Sequence, residues 1–153
     1  MIQRIQSIYL LLAGLFPAIT FFLPILHFTG NNDQSLTMYS LGYDAVMYPE
    51  MAGVKLPALA VFTFIAILIP LFTIFVYKKR KLQIKLINIT ICSIIAWYVA
   101  FAAHVFSIVN EMNLSMSFDT CAVFPFLSII ALLMARRSIH KDEELIRAAD
   151  RIR

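Results

Sequence analysis

The residues with the clearest potential for chemistry lie on one stripe of a long apolar segment. Residues 86–109 contain no Asp, Glu, Lys, Arg or Pro, and winding them at about 100° per residue brings their polar side chains near one direction. The stripe comprises Thr90, Ser93, Trp97 and His104. Its functional interpretation is a proton or ligand site within a membrane. Its structural interpretation, which we favour, is a hydrogen-bonded polar seam between helices.

Little else in the sequence resembles a catalytic set. No second histidine lies at metal-ligand spacing from His104, and the chain shows no acidic pair, no Ser-His-Asp motif and no phosphate-binding glycine loop. We therefore predict a protein that is not an enzyme, with no catalytic residue, no cofactor and no metal.

The elements that must position the stripe are transmembrane helices. The chain of 153 residues is 61% hydrophobic and 14% charged, with a mean hydropathy of +0.81, whereas soluble domains have about 25% charged residues. Four apolar segments are long enough, or nearly so, to cross about 30 Å of hydrocarbon. We predict one all-α membrane domain, a bundle of four transmembrane helices over residues 5–28, 56–77, 86–109 and 118–135.

The distribution of Lys and Arg predicts the topology. Twelve of the 13 lie near the start of the chain, in residues 78–85 or in residues 136–153, and only Lys55 lies elsewhere. Because short loops rich in Lys and Arg stay in the cytoplasm, both termini and loop 78–85 are predicted to be cytoplasmic, with loops 29–55 and 110–117 on the outer side of the membrane. We assign the net charge of +4 to this topology and predict no nucleic-acid partner.

Two prolines shape the first predicted helix. Pro17 and Pro24 have no N–H to donate, so the carbonyls of Ala13 and Thr20 lose their helical partners. One interpretation is a discontinuous helix that lines a transport site. We expect the commoner outcome, a bend.

The outer loops contain turn and strand patterns. Residues 30–33 (GNND) are a turn signal followed by the run 36–41, and residues 111–118 alternate strictly between polar and apolar side chains. We predict a small β-hairpin or sheet from these loops, with Asp119 as the N-cap of the fourth helix. Tyr43, Met47, Tyr48 and Met51 are expected to lie back on the outer end of the bundle.

The central helix is predicted to have a protein side and a lipid side. Small residues beside the polar stripe indicate contact with other helices. These residues are Ala96, Ala100, Ala103 and Ser107, whereas the predicted lipid side carries Ile87, Ile91, Ile94, Ile95, Tyr98, Val105 and Phe106.

Residues 141–153 predict a short cytoplasmic amphipathic helix. Acidic residues fill its first turn and arginines its last, as the helix dipole favours. Its apolar stripe suits a partner protein or the membrane surface, and the acidic residues on its polar face favour the partner protein. The candidate partner-binding residues are Leu145, Ile146, Ala149 and Ile152.

Both ends of the chain carry a family resemblance. Residues 1–13 (MIQRIQSIYLLLA) and 136–153 (RRSIHKDEELIRAADRIR) resemble those of a small membrane family of Bacteroidota, domain of unknown function 4293, and the resemblance covers the whole chain. It implies a bacterial inner-membrane protein with four helices. It implies no activity, cofactor or catalytic residue.

The favoured functional prediction is a non-enzymatic accessory or scaffold subunit of a larger membrane complex, in contact with a membrane-protein partner and the lipid bilayer. The alternative is a binder or transporter of a small apolar or amphiphilic ligand, using the Trp97 and His104 stripe and the kinked first helix. Self-association is open. Transporters of polar solutes keep several intramembrane charges, and none lies well inside these spans.

Overall fold

Helices and one small sheet make up the described part of the chain. The computed structural model describes residues 2–29, 35–45, 56–77, 79–112 and 115–151. In chain order the elements are α1 (Ile2–Phe22), β1 (Leu26–Thr29), β2 (Ser35–Met38), β3 (Tyr43–Ala45), α2 (Pro57–Phe75), α3 (Arg80–Met112), β4 (Ser115–Phe118), a 3₁₀ turn (Thr120–Val123) and α4 (Phe124–Arg151).

Each of the four helices contains a segment long and apolar enough to cross a membrane, as predicted. Pro57 at the start of α2 suits a first helical turn, where its missing N–H costs no hydrogen bond. The third span begins earlier than predicted, because α3 already starts at Arg80 and includes most of the predicted loop 78–85. The segments are Ile5–Phe22, Pro57–Phe75, Arg80–Asn110 and Thr120–Leu145.

The predicted extension of the first helix to Phe28 is wrong. Helix α1 ends at Phe22, and Leu26–Thr29 form β1 instead. Pro24 explains the change, since it lacks an N–H and disfavours helical backbone at the residue before it. Directly after it, the Ile25 N–H donates to the Met38 carbonyl at 2.8 Å, which joins the chain to β2.

The predicted separate short amphipathic helix after Ala135 is also wrong. Helix α4 runs without a break from Phe124 to Arg151. Residues 126–151 contain no Gly or Pro, so nothing interrupts the backbone hydrogen bonds. The basic residues that follow Ala135 therefore do not end the helix.

The predicted sheet from the outer segments is confirmed, and it includes β1. The strand order is β3-β2-β1-β4 with all pairs antiparallel. Alternate side chains face the bundle: Leu26, Phe28, Leu36 and Met38 are completely buried. They share one apolar cluster with Trp97, Phe101, Val105 and Ile108 of α3, so the sheet covers one end of the bundle. The predicted turn at 30–33 and residues Met47, Tyr48 and Met51 lie outside the described residues.

The helices pack in a ring in which α1 contacts α4 and α2, and α3 contacts α2 and α4. A second apolar cluster fills the other half of the bundle, centred on Leu10, Ile87, Ile94 and Leu132. Gly14 brings α1 close to α2, because a Cβ at this position would lie 3.3 Å from the carbonyl oxygen of Ile67. Such an approach leaves no ordinary space for a side chain.

Candidate functional site

A row of polar residues crosses the outward face of the sheet. His27 of β1 lies opposite Thr37 of β2 on one side and opposite Ser117 of β4 on the other. Asp44 of β3 lies opposite Thr37 and continues the row. These positions alternate with the buried apolar residues, so the row is the polar side of a sheet whose other side is core.

Two close polar contacts hold the imidazole of His27 in place. Its Nδ1 lies 3.0 Å from the Thr37 hydroxyl, and its Nε2 lies 2.9 Å from Oδ2 of Asp119. The ring therefore hydrogen-bonds to the Thr37 hydroxyl through Nδ1, whereas Oδ2 of Asp119 lies close to Nε2 but makes no hydrogen bond among the described residues. The Ser117 hydroxyl donates to the backbone carbonyl of His27 at 3.2 Å, which links β4 to the same residue.

This use of Asp119 differs from its predicted role as the N-cap of the fourth helix. Asp119 precedes the 3₁₀ turn, but its side chain makes no capping hydrogen bond. Its carboxylate instead contacts His27, while its N–H donates to the Ile25 carbonyl. The Asp119 side chain therefore does not cap the helix but links β1 to the start of α4.

The order hydroxyl, imidazole, carboxylate is that of a nucleophile, a base and its orienting acid. Acyl transfer also needs donors aimed at the developing oxyanion, and these three side chains supply none. Both His27 and Asp119 are substantially exposed, at 42% and 34% of their side-chain surface. We therefore interpret the row as a structural link that also presents polar groups to the outside.

Sequence reasoning missed His27 because it placed residue 27 within a transmembrane helix. A signal was present: Pro24 is followed by apolar Leu26 and Phe28, which alternate with polar His27 and Thr29. That period of two is typical of a half-buried strand.

The predicted stripe on α3 does face the protein over most of its length. Thr90, Ser93 and Trp97 are buried, whereas His104 is only half-buried. The Thr90 hydroxyl donates to the carbonyl of Leu86 at 3.0 Å. Among the described residues His104 has no hydrogen-bond partner, so the structure does not bring the stripe together around it.

The predicted lipid side of α3 is partly wrong. Ile87, Ile94 and Val105 are buried, and the Tyr98 hydroxyl donates to the Ala122 carbonyl at 2.8 Å. The reason is that large apolar residues at spacings of three and four pack against the sheet and neighbouring helices, whereas the prediction assigned contact to small residues. Of the small-residue seam, Ala103 and Ser107 are exposed; of the lipid side, Ile95 and Phe106 are exposed as predicted.

Both carbonyls predicted to lose their partners find new ones on other elements. Ala13, four residues before Pro17, accepts a 2.6 Å hydrogen bond from the Ser128 hydroxyl of α4. Thr20, four residues before Pro24, accepts from the Ser40 hydroxyl at 3.1 Å. Helix α1 continues through Pro17, so the discontinuous helix is not what forms.

Other buried hydroxyls near the prolines act in the same way. The Thr20 hydroxyl donates to the Cys121 carbonyl at 3.3 Å, four residues before Pro125. The Ser93 hydroxyl of α3 donates to the Phe62 carbonyl of α2 at 3.3 Å. These groups connect helices through their backbones and leave no hydroxyl of the set facing open space.

A narrow crevice lies where the prolines and Trp97 meet. It has room for about one water-sized molecule. The buried Nε1 of Trp97 has no hydrogen-bond partner among the described residues, while its ring stacks on Phe101 at 5.3 Å between centroids. The crevice is lined by Pro17, Thr20, Thr63, Ala66, Ile94, Trp97 and Pro125.

The candidate partner-binding residues lie on the last turns of α4. Leu145 is half exposed. Ile146 and Ala149 belong to the helix, but their side chains lie outside what is described, as does Ile152 altogether. Within the described ranges no three His, Cys, Asp or Glu residues lie close enough to hold a metal ion, and Cys92 and Cys121 are free thiols.

Four apolar helices of spanning length, closed at one end by a small sheet, define the class of protein: a helical chain with four candidate membrane spans. The chain belongs to the family described as a domain of unknown function (DUF4293), whose model matches residues 2–152. Comparison with curated proteins finds no match.

Proposed function

We propose that this chain is a non-enzymatic accessory or scaffold subunit of a larger complex in the cell inner membrane. It crosses the bilayer four times, with both termini in the cytoplasm and the sheet on the outer side. One observation carries the proposal: buried hydroxyls of the bundle bond to backbone carbonyls, while the sheet presents an ordered polar face. The polar groups inside the bundle hold the helices together, and the polar face of the sheet binds the partner.

The interior offers little to a transported solute. Transport sites at the bilayer midplane are built from unwound helices and polar or charged side chains that remain free to bind. Here Ser128 and Ser40 occupy the carbonyls that Pro17 and Pro24 release. The crevice beside Trp97 takes no more than about one water.

The polar face of the sheet suits a protein partner. Asp44, Thr37, His27 and Ser117 form a continuous row across four strands, and the His27 contacts fix the spacing of the middle strands. A surface whose side chains are already ordered loses less conformational entropy when a partner binds. The exposed Leu41 side chain adds an apolar element beside β2 and β3.

Recovery of partners from native membranes tests the accessory role. The tagged full chain is cross-linked, solubilised in mild detergent and purified, and its partners are identified by mass spectrometry. Asp44→Lys should remove the partner, because it reverses the charge at the exposed end of the row. Lys85→Glu, an equal reversal on exposed α3 surface, is the control and should keep it. If the wild-type chain is recovered without a partner, or if both variants lose the partner equally, the proposal is contradicted. If the only protein recovered with the tagged chain is its untagged copy, the chain self-associates.

Testing whether the C-terminal residues contribute to partner binding requires a truncation that leaves the packing of the bundle intact. Ile139 is fully buried, and buried Asp142 accepts a hydrogen bond from Gln6 of α1, so a truncation after Arg137 would remove packing. Truncation after Glu144 keeps both contacts. The proposal expects this variant to fold normally and recover less partner; normal recovery would restrict the partner surface to the sheet.

Cysteine labelling tests the topology on which the proposal rests. In a background with Cys92→Ala and Cys121→Ala, Asp44→Cys should react with an impermeant maleimide in intact spheroplasts. Lys81→Cys, also exposed, should react only after permeabilisation. The opposite pattern would invert the orientation.

The alternative, binding of a small apolar or amphiphilic ligand, is favoured by one observation, the unpartnered Nε1 of Trp97 beside the crevice. Trp97 is the single tryptophan, so its fluorescence reports on this place alone. A saturable emission shift with an extract of native lipids, lost when Ala66→Leu fills the crevice that Ala66 lines, would support the alternative. The accessory proposal expects no saturable shift.

A further inference from the structure

Helix α4 has two contrasting faces between Ser128 and Glu144. One face is buried against the bundle and includes Ser128, Leu132, Ala135 and Ile139. The opposite face forms a groove that is apolar at one end and basic at the other. The groove is lined by Ile130, Leu133, Met134, Arg136, Arg137, His140, Lys141 and Glu144.

The spacing shows that this groove is a single stripe of the helix. Residues 130, 133, 134, 137, 140, 141 and 144 are separated by steps of one, three or four, so they lie on one side over four turns. Arg136 lies at its margin, where its Nη1 donates to Oδ1 of Asn88 on α3 at 3.1 Å. This bond holds one guanidinium beside the groove and leaves its other N–H groups able to donate.

The apolar and basic parts occupy different depths along the helix. The candidate span Thr120–Leu145 has 26 residues and is about 39 Å long, which exceeds the roughly 30 Å of hydrocarbon and reaches headgroup level. Ile130, Leu133 and Met134 belong to its apolar portion. The basic side chains follow one to two turns later, where arginine and lysine at the end of a span meet phosphates.

The charge of the groove favours an anionic occupant. Arg136, Arg137 and Lys141 face a single acidic lining residue, Glu144, with His140 between them. Guanidinium groups bind phosphate oxygens with paired hydrogen bonds, and an ammonium adds a compact charge. A free phosphate would leave the apolar half of the groove empty, whereas a phospholipid fills both halves.

We propose that this groove is a binding site for an anionic glycerophospholipid. The headgroup phosphate lies against Arg136, Arg137 and Lys141, and an acyl chain runs along Ile130, Leu133 and Met134. The site rests on the membrane placement proposed above, but not on the accessory role. It gives α4 a lipid-recognition function on the face that the bundle does not use.

Native mass spectrometry of the full chain tests the site. The chain is solubilised in mild detergent and titrated with phosphatidylglycerol or with phosphatidylcholine of the same acyl chains. Phosphatidylglycerol should be retained with an affinity about tenfold higher, because both lipids offer a phosphate but only phosphatidylcholine adds a quaternary ammonium, which cancels its net charge and is repelled by the three basic side chains. Equal retention of both lipids would overturn the proposal.

Matched variants separate a built site from general surface charge. Arg137→Gln with Lys141→Gln should abolish the preference, whereas Lys81→Gln with Lys85→Gln removes the same charge from the exposed side of α3 and should preserve it. Equal losses in the two pairs would overturn the proposal, provided thermal melts show both variants folded. Met134→Ser should weaken retention of phosphatidylglycerol without increasing retention of phosphatidylcholine.

Two further measurements distinguish the sources of failure. If soluble glycerophosphoglycerol displaces the lipid at equal concentration, the groove is a phosphate site and the lipid assignment is wrong. If carbonate extraction releases the chain from membranes, the membrane placement fails with it. If the chain stays in the membrane fraction but shows no lipid preference, only the groove assignment fails.

Discussion

The Ser128 hydroxyl on α4 donates a 2.6 Å hydrogen bond to the Ala13 carbonyl on α1, at a point where neither residue is exposed. Ala13 lies four residues before Pro17, which has no N–H with which to complete the helical bond. The carbonyl that Pro17 leaves without a helical partner in α1 therefore links α1 to α4. The pair belongs to the most extensive helix contact in the protein, that between α1 and α4.

Ser128→Ala should destabilise the protein by about 1 kcal/mol, because the buried Ala13 carbonyl loses its donor. The same substitution should cost much less in a Pro17→Ala background, where residue 17 regains an N–H that can reach Ala13. The measurement is a double-mutant cycle of unfolding in detergent. Ser107→Ala is the control, since the Ser107 hydroxyl bonds within its own helix on an exposed face. Additive effects of the two substitutions would contradict the link.

Gly14→Val should destabilise the bundle by about 1–3 kcal/mol through overpacking. The new Cβ would lie 3.3 Å from the backbone oxygen of Ile67, which cannot turn away as a flexible side chain can. Ala102→Val adds bulk to an exposed face of α3 and should change little. The two melting temperatures in detergent decide the matter; equal shifts would mean that α1 and α2 do not approach as described.

His27→Gln and Asp119→Asn should show a coupling free energy of at most about 1 kcal/mol, as expected for a partly exposed pair. The coupling should fall as salt is added, because the contact is reached by solvent. Hydrogen exchange of the strand amides measures it locally. If the two substitutions act independently at every salt concentration, the contact does not stabilise the sheet.

The sheet should lose stability at high pH. Burial raises the pKa of Tyr43 from the usual 10 to about 12, because the fold disfavours the charged phenolate. A folded-state pKa above the unfolded value means that the contribution to stability is complete below pH 10 and is lost as pH rises through about 12. The difference between the ultraviolet titration curves of the wild type and the Tyr43→Phe variant isolates this tyrosine and should have its midpoint near pH 12. A midpoint near pH 10 would show that Tyr43 is not buried.

The four spans could be predicted because length and hydropathy alone decide whether a helix can cross a bilayer. The boundaries were harder, for two physical reasons. Pro24 ended α1 six residues before the predicted end at Phe28, since apolar Ile25, Leu26 and Phe28 continue the hydrophobic run beyond the helix. At the other end, Arg136 and Arg137 ended the apolar stretch without ending α4, because the residues that follow contain no Gly or Pro and are mostly good helix formers.

The candidate sites were predicted less well, because they depend on contacts between distant segments. Thr90, Ser93 and Trp97 could be assigned to a protein-facing side from their spacing. The link between His27 and Asp119 joins residues far apart in the chain, and no local pattern encodes it. The α4 groove also required knowing which side of that helix the bundle covers.

The order of strands in the sheet has a consequence for biogenesis. β1 has β2 on one side and β4 on the other, and β4 lies between α3 and α4. In a chain whose helices enter the bilayer in sequence, β1 and β2 emerge with the first helical pair, while one edge of β1 keeps unpaired N–H and C=O groups until α3 has crossed. On the proposed topology, completion of the sheet therefore waits for α3, and any delay in inserting α3 prolongs the time during which that open edge is accessible to proteases and to other unpaired strands.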